Sequence, residues 1–253
     1  MATDLQKASF WKRTAAWMFD FILVGILAVA FGVLLSWILG YDAHSRNLEN
    51  AYDKYETRYG VEFEISLETY EAMTPEARAN YDAAYADLIA DEEAMYAYNM
   101  MMNLTLVILS IAILLAVVII EYLIPLCLGN GQTPGKKIFG LALIRNDGVR
   151  MNNMQLFVRA ILGKFTVETM IPVLIILMIF WGTMGVTGTL VIFGLVIGQA
   201  CCLIFTRTNS VIHDLMAGTV AVDYASQTIF PSTEALVEYK KRIAAERAAR
   251  SPY

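Results

Sequence analysis

Four long apolar runs limit what this 253-residue chain can fold into. They cover about residues 14–39, 103–128, 166–186 and 188–206, and a helix needs about 20 apolar residues to cross a bilayer. Mean hydropathy is +0.52, and only 17% of the residues are charged, against roughly a quarter in soluble domains. We therefore predict an all-α membrane protein with four transmembrane helices.

The basic residues predict how these spans are oriented. Fifteen of the 19 lie before the first run, between the second and third, or after the fourth. They are Lys7, Lys12, Arg13, Lys136, Lys137, Arg145, Arg150, Arg159, Lys164, Arg207, Lys240, Lys241, Arg242, Arg247 and Arg250. Because positive loops stay on the cytoplasmic side, we expect both termini and the basic tail 226–253 in the cytoplasm.

The segment 41–98 then lies outside the cytoplasm. It contains 14 acidic and 4 basic residues, and we expect two acidic helices that extend the first two spans and are joined through Val61–Ile65. Gly60 is a plausible helix stop, and Thr74-Pro75 is a typical helix start. This insert is either a solvated helical cap with a tyrosine-lined seam, or a surface that attracts cations or docks an extracytoplasmic protein.

Two acids lie inside the spans, where charged groups are costly. Asp20 and Glu121 stand at about the same depth from the cytoplasmic face, and Gln199 stands at a similar depth. The two carboxyls could share a proton or hold a small cation such as sodium. Alternatively, Asp20 pairs structurally with Arg13 or Arg159, or caps backbone groups near a kink.

The ends of the spans carry further signals. Pro125 follows Glu121 by one turn and is expected to kink the second span, because proline cannot donate to the carbonyl of Glu121.

Residues 152–165 alternate apolar and basic positions, which predicts an amphipathic helix along the membrane surface. Lys164 and Glu168 form an i,i+4 pair. Gly194 and Gly198 form a GxxxG motif, which could pack helices within one chain or between two chains. We expect packing within the chain.

The loop GNGQTPGKKIFG at 129–140 looks like a phosphate-binding loop, but it fails the template. Asn130 stands where the first glycine is required, and Lys137 stands where serine or threonine binds magnesium. We therefore predict no nucleotide. The loop is expected to be a cytoplasmic turn in which Lys136 faces lipid phosphates or the segment of Asp214.

Two short apolar runs flank the last two spans. Leu141–Ile144 ends in a turn signal, and Gly218–Asp223 is similar in composition. Their pairing as short cytoplasmic strands would bring His213 and Asp214 towards Lys136 and Arg13.

Three separated stretches are similar to one family. They are RTAAWMFD at 13–20, GQTPGKKIFGLALIRNDG at 131–148 and HDLMAGT at 213–219. Together they resemble the RDD family of bacterial membrane proteins, which is named for one arginine and two aspartates, here Arg13, Asp20 and Asp214. The resemblance implies a transmembrane domain made of 1–40 and 99–225 in a bacterial cell membrane, and it leaves the 41–98 insert outside the pattern.

The resemblance also implies transport, with sodium–proton exchange among the suggested activities. We expect a secondary transporter in which Asp20, Glu121 and Gln199 bind a proton or cation. Arg13 and Asp214 would form a cytoplasmic gate; His213, Lys136 and Glu168 are its expected neighbours. Since four spans are few and no internal repeat is evident, we expect a homodimer. The alternative is a non-transporting scaffold or accessory subunit that docks a partner through the insert.

Other function classes have little support in the sequence. There is no nucleophile elbow, no His/Cys metal set and no cofactor fingerprint. We therefore expect neither an enzyme nor a cofactor or metal, and no nucleic-acid partner. The composition directly predicts one partner, the lipid bilayer.

Overall fold

The computed structural model describes residues 5–206 and 208–250, which are mostly helical. Arg207, one of the basic residues used for orientation, lies outside the described part. The helices in chain order are α1 (Phe10–Ile38), α2 (Tyr41–Tyr59), α3 (Leu67–Glu71), α4 (Pro75–Ala90), α5 (Glu92–Leu128), α6 (Pro134–Ile138), α7 (Asn153–Phe180), α8 (Gly185–Phe205), α9 (Ile212–Ala217) and α10 (Thr233–Arg250). The strands are β1 (Leu141–Arg145) and β2 (Thr219–Asp223).

Four helices, α1, α5, α7 and α8, are long and apolar enough to cross a membrane. The predicted number of spans is therefore confirmed, but the third begins earlier than expected. The predicted surface helix over 152–165 is not a separate element, because Asn152 caps α7 through a capping box and the helix continues to Phe180. Its basic side chains find acidic partners inside the protein, so they need no membrane surface.

Two of the spans contain π-helical segments. Val118–Leu123 lies in α5, and Val158–Met170 lies in α7. The first ends two residues before Pro125, whose missing N–H leaves the carbonyl of Glu121 without its usual helical donor. π-Helical turns are frequent at functional sites, and both segments contribute charged side chains to the cluster described below.

A small antiparallel sheet lies beside the ends of the spans. β1 pairs with β2 in a register that sets Leu143 opposite Ala221, so the predicted strand pairing is confirmed. Residues before α1 extend this pairing, since Asp223 donates its N–H to the Gln6 carbonyl at 3.1 Å. The turn after β1 requires Gly148 at φ 89°, a conformation that is unfavourable for other residues.

The described chain forms two compact units. One comprises the described residues up to Ala28 and from Ile113 onward, and the other is Val29–Ala112. In the second unit, α2 ends at Gly60 with φ 65°, and α4 begins after Thr74, whose hydroxyl accepts the N–H of Ala77. A buried seam joins its helices and contains Tyr55, Leu88 and Ala94. The short helix α3 was not predicted.

Candidate functional site

Nine ionisable side chains of the first unit form a cluster, which we call the ionic cluster. It contains four acids, four bases and one histidine: Arg13, Asp20, Glu121, Lys136, Arg159, Lys164, Glu168, His213 and Asp214. Asp20 and Glu121 are 0% exposed, and Arg159 and Asp214 are 2% exposed. Equal numbers of acidic and basic groups allow such a cluster to be buried, because an isolated buried charge is very costly.

Asp20 holds the loop that follows the second span. Its Oδ2 accepts the hydroxyl of Thr133 at 2.5 Å, and its Oδ1 accepts the backbone N–H of Gly135 at 2.8 Å. Thr133 also caps α6, accepting the N–H of Lys136. A Cβ at Gly135 would lie 2.3 Å from the Ala16 carbonyl oxygen, so only glycine fits this close approach. Asp20 therefore caps the backbone of α6, one of the alternatives left open by the sequence.

Lys136 lies inside the protein. Its Nζ is 3.1 Å from Thr133 Oγ1, 3.7 Å from Asp20 Oδ2 and 3.9 Å from Glu121 Oε2. The prediction that this side chain faces lipid phosphates or the segment of Asp214 is wrong. The hydrogen bonds from Thr133 and Gly135 to Asp20 draw the loop inward and bury Lys136.

Burial has a direct effect on the ammonium of Lys136. Removal of water lowers the pKa of Lys136 to about 8; Glu121 and Asp20 oppose this change, whereas Arg159 and Lys164 reinforce it. A lysine of ordinary pKa stays charged at neutral and mildly alkaline pH. This one can lose its proton in a range that cells reach.

Glu121 makes a close ion pair through Oε1 with Lys164. Its Oε2 lies 3.6 Å from Arg159 Nη1, and in the described part of the chain neither atom has a hydrogen-bond partner. The predicted pairing of Lys164 with Glu168 gives way to other partners, because both residues lie in a π-helical segment where i,i+4 positions no longer stack. Asp20 and Glu121 thus meet through Lys136.

Arg159 connects this part of the cluster to α9. Its Nε donates to Asp214 Oδ1 at 2.9 Å, and its Nη2 lies 2.8 Å from His213 Nε2. A guanidinium can only donate, so we assign His213 Nε2 as an acceptor and Nδ1 as the protonated nitrogen. Nδ1 then donates to Glu168 Oε2 at 2.6 Å. The ring is consequently neutral and held from both sides.

Two pKa changes outside the spans follow from these contacts. Burial and the guanidinium of Arg159 lower the pKa of His213, although Asp214 and Glu168 act in the opposite direction. Burial by itself would raise the pKa of Asp214, but the guanidinium of Arg159 outweighs it and lowers this pKa to about 2. Both groups are therefore fixed in one protonation state near neutral pH.

Arg13 and Asp214, the predicted gate pair, are neighbours. Arg13 Nη2 is 3.8 Å from Asp214 Oδ2, and its Nη1 donates to the Asn209 carbonyl at 2.7 Å. Gln199 does not join Asp20 and Glu121 as expected, because its amide oxygen accepts the N–H of Ile212 at 3.1 Å. It also contacts Glu168. The fourth span is thus tied to the start of α9.

Sequence reasoning missed the roles of Thr133, Gly135 and Gly163. Thr133-Pro134 repeats the helix-start pattern recognised at Thr74-Pro75, so the signal for α6 was present. Gly163 allows α9 to approach α7, since a Cβ there would lie 2.6 Å from that of His213. No local pattern marks such a contact, because it depends on a residue 50 positions away.

Four long apolar helices with a buried, charge-balanced cluster at their ends define a multi-spanning membrane protein. Three residues of this cluster, Arg13, Asp20 and Asp214, are the ones that the resemblance matched to the arginine and two aspartates of the family's name. The RDD family model matches residues 7–218, and the chain belongs to the RDD family. Comparisons with curated proteins and with solved structures gave no match.

Proposed function

We propose that this protein is a secondary transporter that exchanges protons for a small monovalent cation at Asp20 and Glu121. One observation carries the proposal: two fully buried carboxylates from different spans face a single ammonium, that of Lys136. Each charged group within a span costs about 2.5–3.5 kcal/mol on insertion scales. A cluster of this cost is typical of an ion or proton pathway.

The chemistry around Lys136 suits a hard cation. Asp20 Oδ2, Glu121 Oε2 and Thr133 Oγ1 surround its Nζ, and carboxylate and hydroxyl oxygens are preferred by cations such as sodium. Both a proton and a metal cation can therefore be bound by the same group of oxygens and nitrogen. Exclusive binding of one or the other is the requirement for exchange.

The Arg13–Asp214 contact is the proposed gate. It joins the beginning of α1 to α9, at the point where Arg159 also binds Asp214. Movement of α9 away from α7 would separate these pairs and give water access to the ionic cluster. Gln199, through the N–H of Ile212, would transmit the same movement to the fourth span.

A flux assay tests the proposed exchange. The purified protein is reconstituted into liposomes that contain a pH-sensitive dye. When a sodium gradient is imposed, the exchange of sodium for protons should change the internal pH. Asp20→Asn and Glu121→Gln should abolish this exchange, while Asp53→Asn, an exposed acid of the insert, should leave it unchanged. Wild-type protein that is monodisperse and folded but moves no proton with sodium, lithium or potassium would refute the proposal.

We also propose that the ionic cluster and both termini face the cytoplasm of a bacterium. The distribution of 15 of the 19 basic residues supports this orientation. Single cysteines placed at the exposed positions Ala79 and Ala244 of a cysteine-free variant test it. An impermeant maleimide applied to intact spheroplasts should label only the cysteine at position 79. Labelling only at position 244 would show that the protein has the opposite orientation.

A homodimer is part of the proposal. Substituents at Gly194 and Gly198 would meet no described atom within 4 Å, so the expected packing of this motif inside the chain is wrong. The motif is therefore free to pack against a second copy. A cysteine introduced at Val191 should crosslink two copies into a dimer, and the additional substitution Gly198→Leu should abolish this dimer. If the protein is monomeric with and without Gly198→Leu, the proposed homodimer is contradicted.

The acidic insert supports a second candidate, a scaffold or accessory subunit that docks an extracytoplasmic partner. Eleven of its 14 acids are exposed, beside exposed apolar side chains such as Leu67 at 72%. In that case a basic partner should co-purify with the wild-type protein in a stoichiometric amount. Joint replacement of Glu62, Glu64 and Glu68 by glutamine should abolish this co-purification and leave ion flux intact. If no partner co-purifies with either the wild type or the variant, this result would count against the scaffold function.

A further inference from the structure

We infer that a cavity between the end of α5 and the start of α7 binds the phosphate group of an anionic phospholipid, with Arg150 as the charged contact. The site lies outside the ionic cluster, and none of its residues takes part in the proposed exchange. It includes the first glycine of the run GNGQTPGKK, which looks like a phosphate-binding loop but fails the nucleotide template.

The cavity lies where two of the spans end. It has a volume of about 120 Å³ and is partly open to the surroundings. The end of α5 contributes Pro125 and Leu126, and the first turns of α7 contribute Leu156. A ligand in this cavity therefore lies at the end of the apolar part of both helices, where the headgroups of a bilayer are expected.

Arg150 is the charged side chain of the cavity. Its Nε donates to the Gly129 carbonyl, whereas no acceptor in the described part of the chain is bonded to Nη1 or Nη2. Arg145, five positions earlier, differs because it pairs with Asp147 at 2.7 Å. A guanidinium has five N–H donors in a fork that matches phosphate oxygens. Both Nη groups of Arg150 are therefore available to a ligand.

Gly129 makes room for this guanidinium. A Cβ at position 129 would collide with Arg150 Nη2, and the φ of 80° at Gly129 favours glycine. The backbone of Arg150 is held as well, because its N–H donates to the Phe230 carbonyl at 2.9 Å. Both ends of the arginine are thus fixed before a ligand arrives, which lowers the cost of binding.

Two asparagines add neutral donors to the cavity. Asn152 Oδ1 accepts the N–H of Gln155 at 2.7 Å, which leaves its amide N–H groups for a ligand. The neighbouring Asn153 is exposed and also lines the cavity. None of the residues that line the cavity is acidic, and all of them lie in the described part of the chain. One cation, two amides and no carboxylate favour an anionic ligand.

Apolar side chains around the cavity favour a lipid over a free phosphate ion. Leu126, Met154 and Phe157 are exposed at the adjoining ends of α5 and α7. The ring of Phe157 also meets that of Tyr122 on α5, with 6.0 Å between their centres, so an apolar surface continues from the cavity along both spans. A phospholipid brings a phosphate and acyl chains together and can contact both kinds of side chain.

Binding of phosphatidylglycerol to the purified protein tests the site. Bound lipid is counted by native mass spectrometry over a range of lipid concentrations in detergent. The wild type should bind one phosphatidylglycerol more tightly than phosphatidylcholine. Arg150→Gln should weaken this binding about fivefold, the contribution typical of one basic residue at an anionic lipid surface. Lys137→Gln removes an exposed charge outside the cavity and should bind as the wild type.

A second pair of variants leaves the contact between Arg150 and Gly129 in place. Asn153→Glu adds a carboxylate to the cavity at the first residue of α7, a position where an acid stabilises a helix. It should therefore keep the apparent Tm of the lipid-free wild type or raise it, yet exclude phosphatidylglycerol. Asn153→Gln, which is neutral and similar in size to glutamate, should still bind this lipid.

The outcomes decide both the site and its ligand. Loss of phosphatidylglycerol in Arg150→Gln and Asn153→Glu, with retention in Lys137→Gln and Asn153→Gln, supports the site. Undiminished binding in Arg150→Gln, an equal loss in Lys137→Gln, or equal binding of phosphatidylcholine by the wild type overturns it. If inorganic phosphate alone raises the apparent Tm as much as phosphatidylglycerol does, and Arg150→Gln removes this effect, the ligand is a free ion and the lipid assignment is wrong.

Discussion

Gly135 donates its backbone N–H to Oδ1 of Asp20 at 2.8 Å, which joins the loop after the second span to the first span. The carbonyl of Ala16 leaves no room for a side chain at this position. Asp20 therefore has a structural task, to hold α6 in place, in addition to its proposed role beside Lys136. Because Asp20 would serve both roles, we expect few substitutions to be tolerated at this position.

Gly135→Ala should disrupt this contact. The new Cβ would lie 2.3 Å from a backbone oxygen, and overpacking of this kind costs about 1–3 kcal/mol or more. We expect a lower apparent Tm in detergent and loss of exchange. Gly25→Ala is the control, since nothing described lies within 4 Å of its added methyl group, and an equal loss in both variants would contradict the prediction.

Thr133→Val should weaken the same loop. It removes the donor to Asp20 and the acceptor for Lys136, leaving buried polar groups unsatisfied at a cost of about 1–3 kcal/mol. Thr133→Ser keeps the hydroxyl and should retain most of the stability. Thermal unfolding of the two variants side by side makes the comparison, and equal Tm values would exclude a role for the hydroxyl.

Arg159 and Asp214 should be strongly coupled. Both are 2% exposed and joined at 2.9 Å, so removal of either leaves a buried charge without its partner. In a double-mutant cycle with Arg159→Met and Asp214→Asn, we expect the double variant to lose about 0.5–3 kcal/mol less than the sum of the single losses. Strict additivity in the free energy of unfolding would show that the contact contributes no coupling.

Stability should fall on mild acidification through His213. Its folded-state pKa is below its ordinary value of 6.5, so the stability gained from the neutral ring is fully present above pH about 6.5 and is lost as the pH falls through the folded-state pKa. We expect the apparent Tm to decline between about pH 7 and pH 5. His213→Gln should flatten that decline, whereas His44→Gln in the other unit should not; a wild-type Tm independent of pH over this range would refute the prediction.

Much of the fold could be predicted because its signals are local. The four spans follow from runs of apolar residues, and the pairing of β1 with β2 follows from two short apolar segments beside turn residues. The turn at Asn146–Gly148 is likewise set by the residues within it. In each case the physical cause lies within a few neighbouring positions.

The site was predicted only in part. Arg13 and Asp214 meet as expected, but the depth argument failed for Gln199 and misplaced Lys136. Depth along a span does not show which way a side chain faces. The π-helical segments of α5 and α7 change the directions of Glu121, Arg159 and Lys164, and Pro125 was a sequence signal for the first of these segments only. Contacts such as Gly163 with His213 appear only when distant segments are packed.

The sequence by itself determined that this chain has four segments long and apolar enough to cross a membrane, and that Asp20 and Glu121 lie within two of them. This follows because the cost of burying polar groups in lipid acts on each segment separately. The tertiary structure decided which charges neutralise one another, and it placed Lys136 between the two carboxylates. That choice depends on distances of a few ångströms between α1, α5, α6 and α7, and electrostatic energy inside a protein depends on such distances.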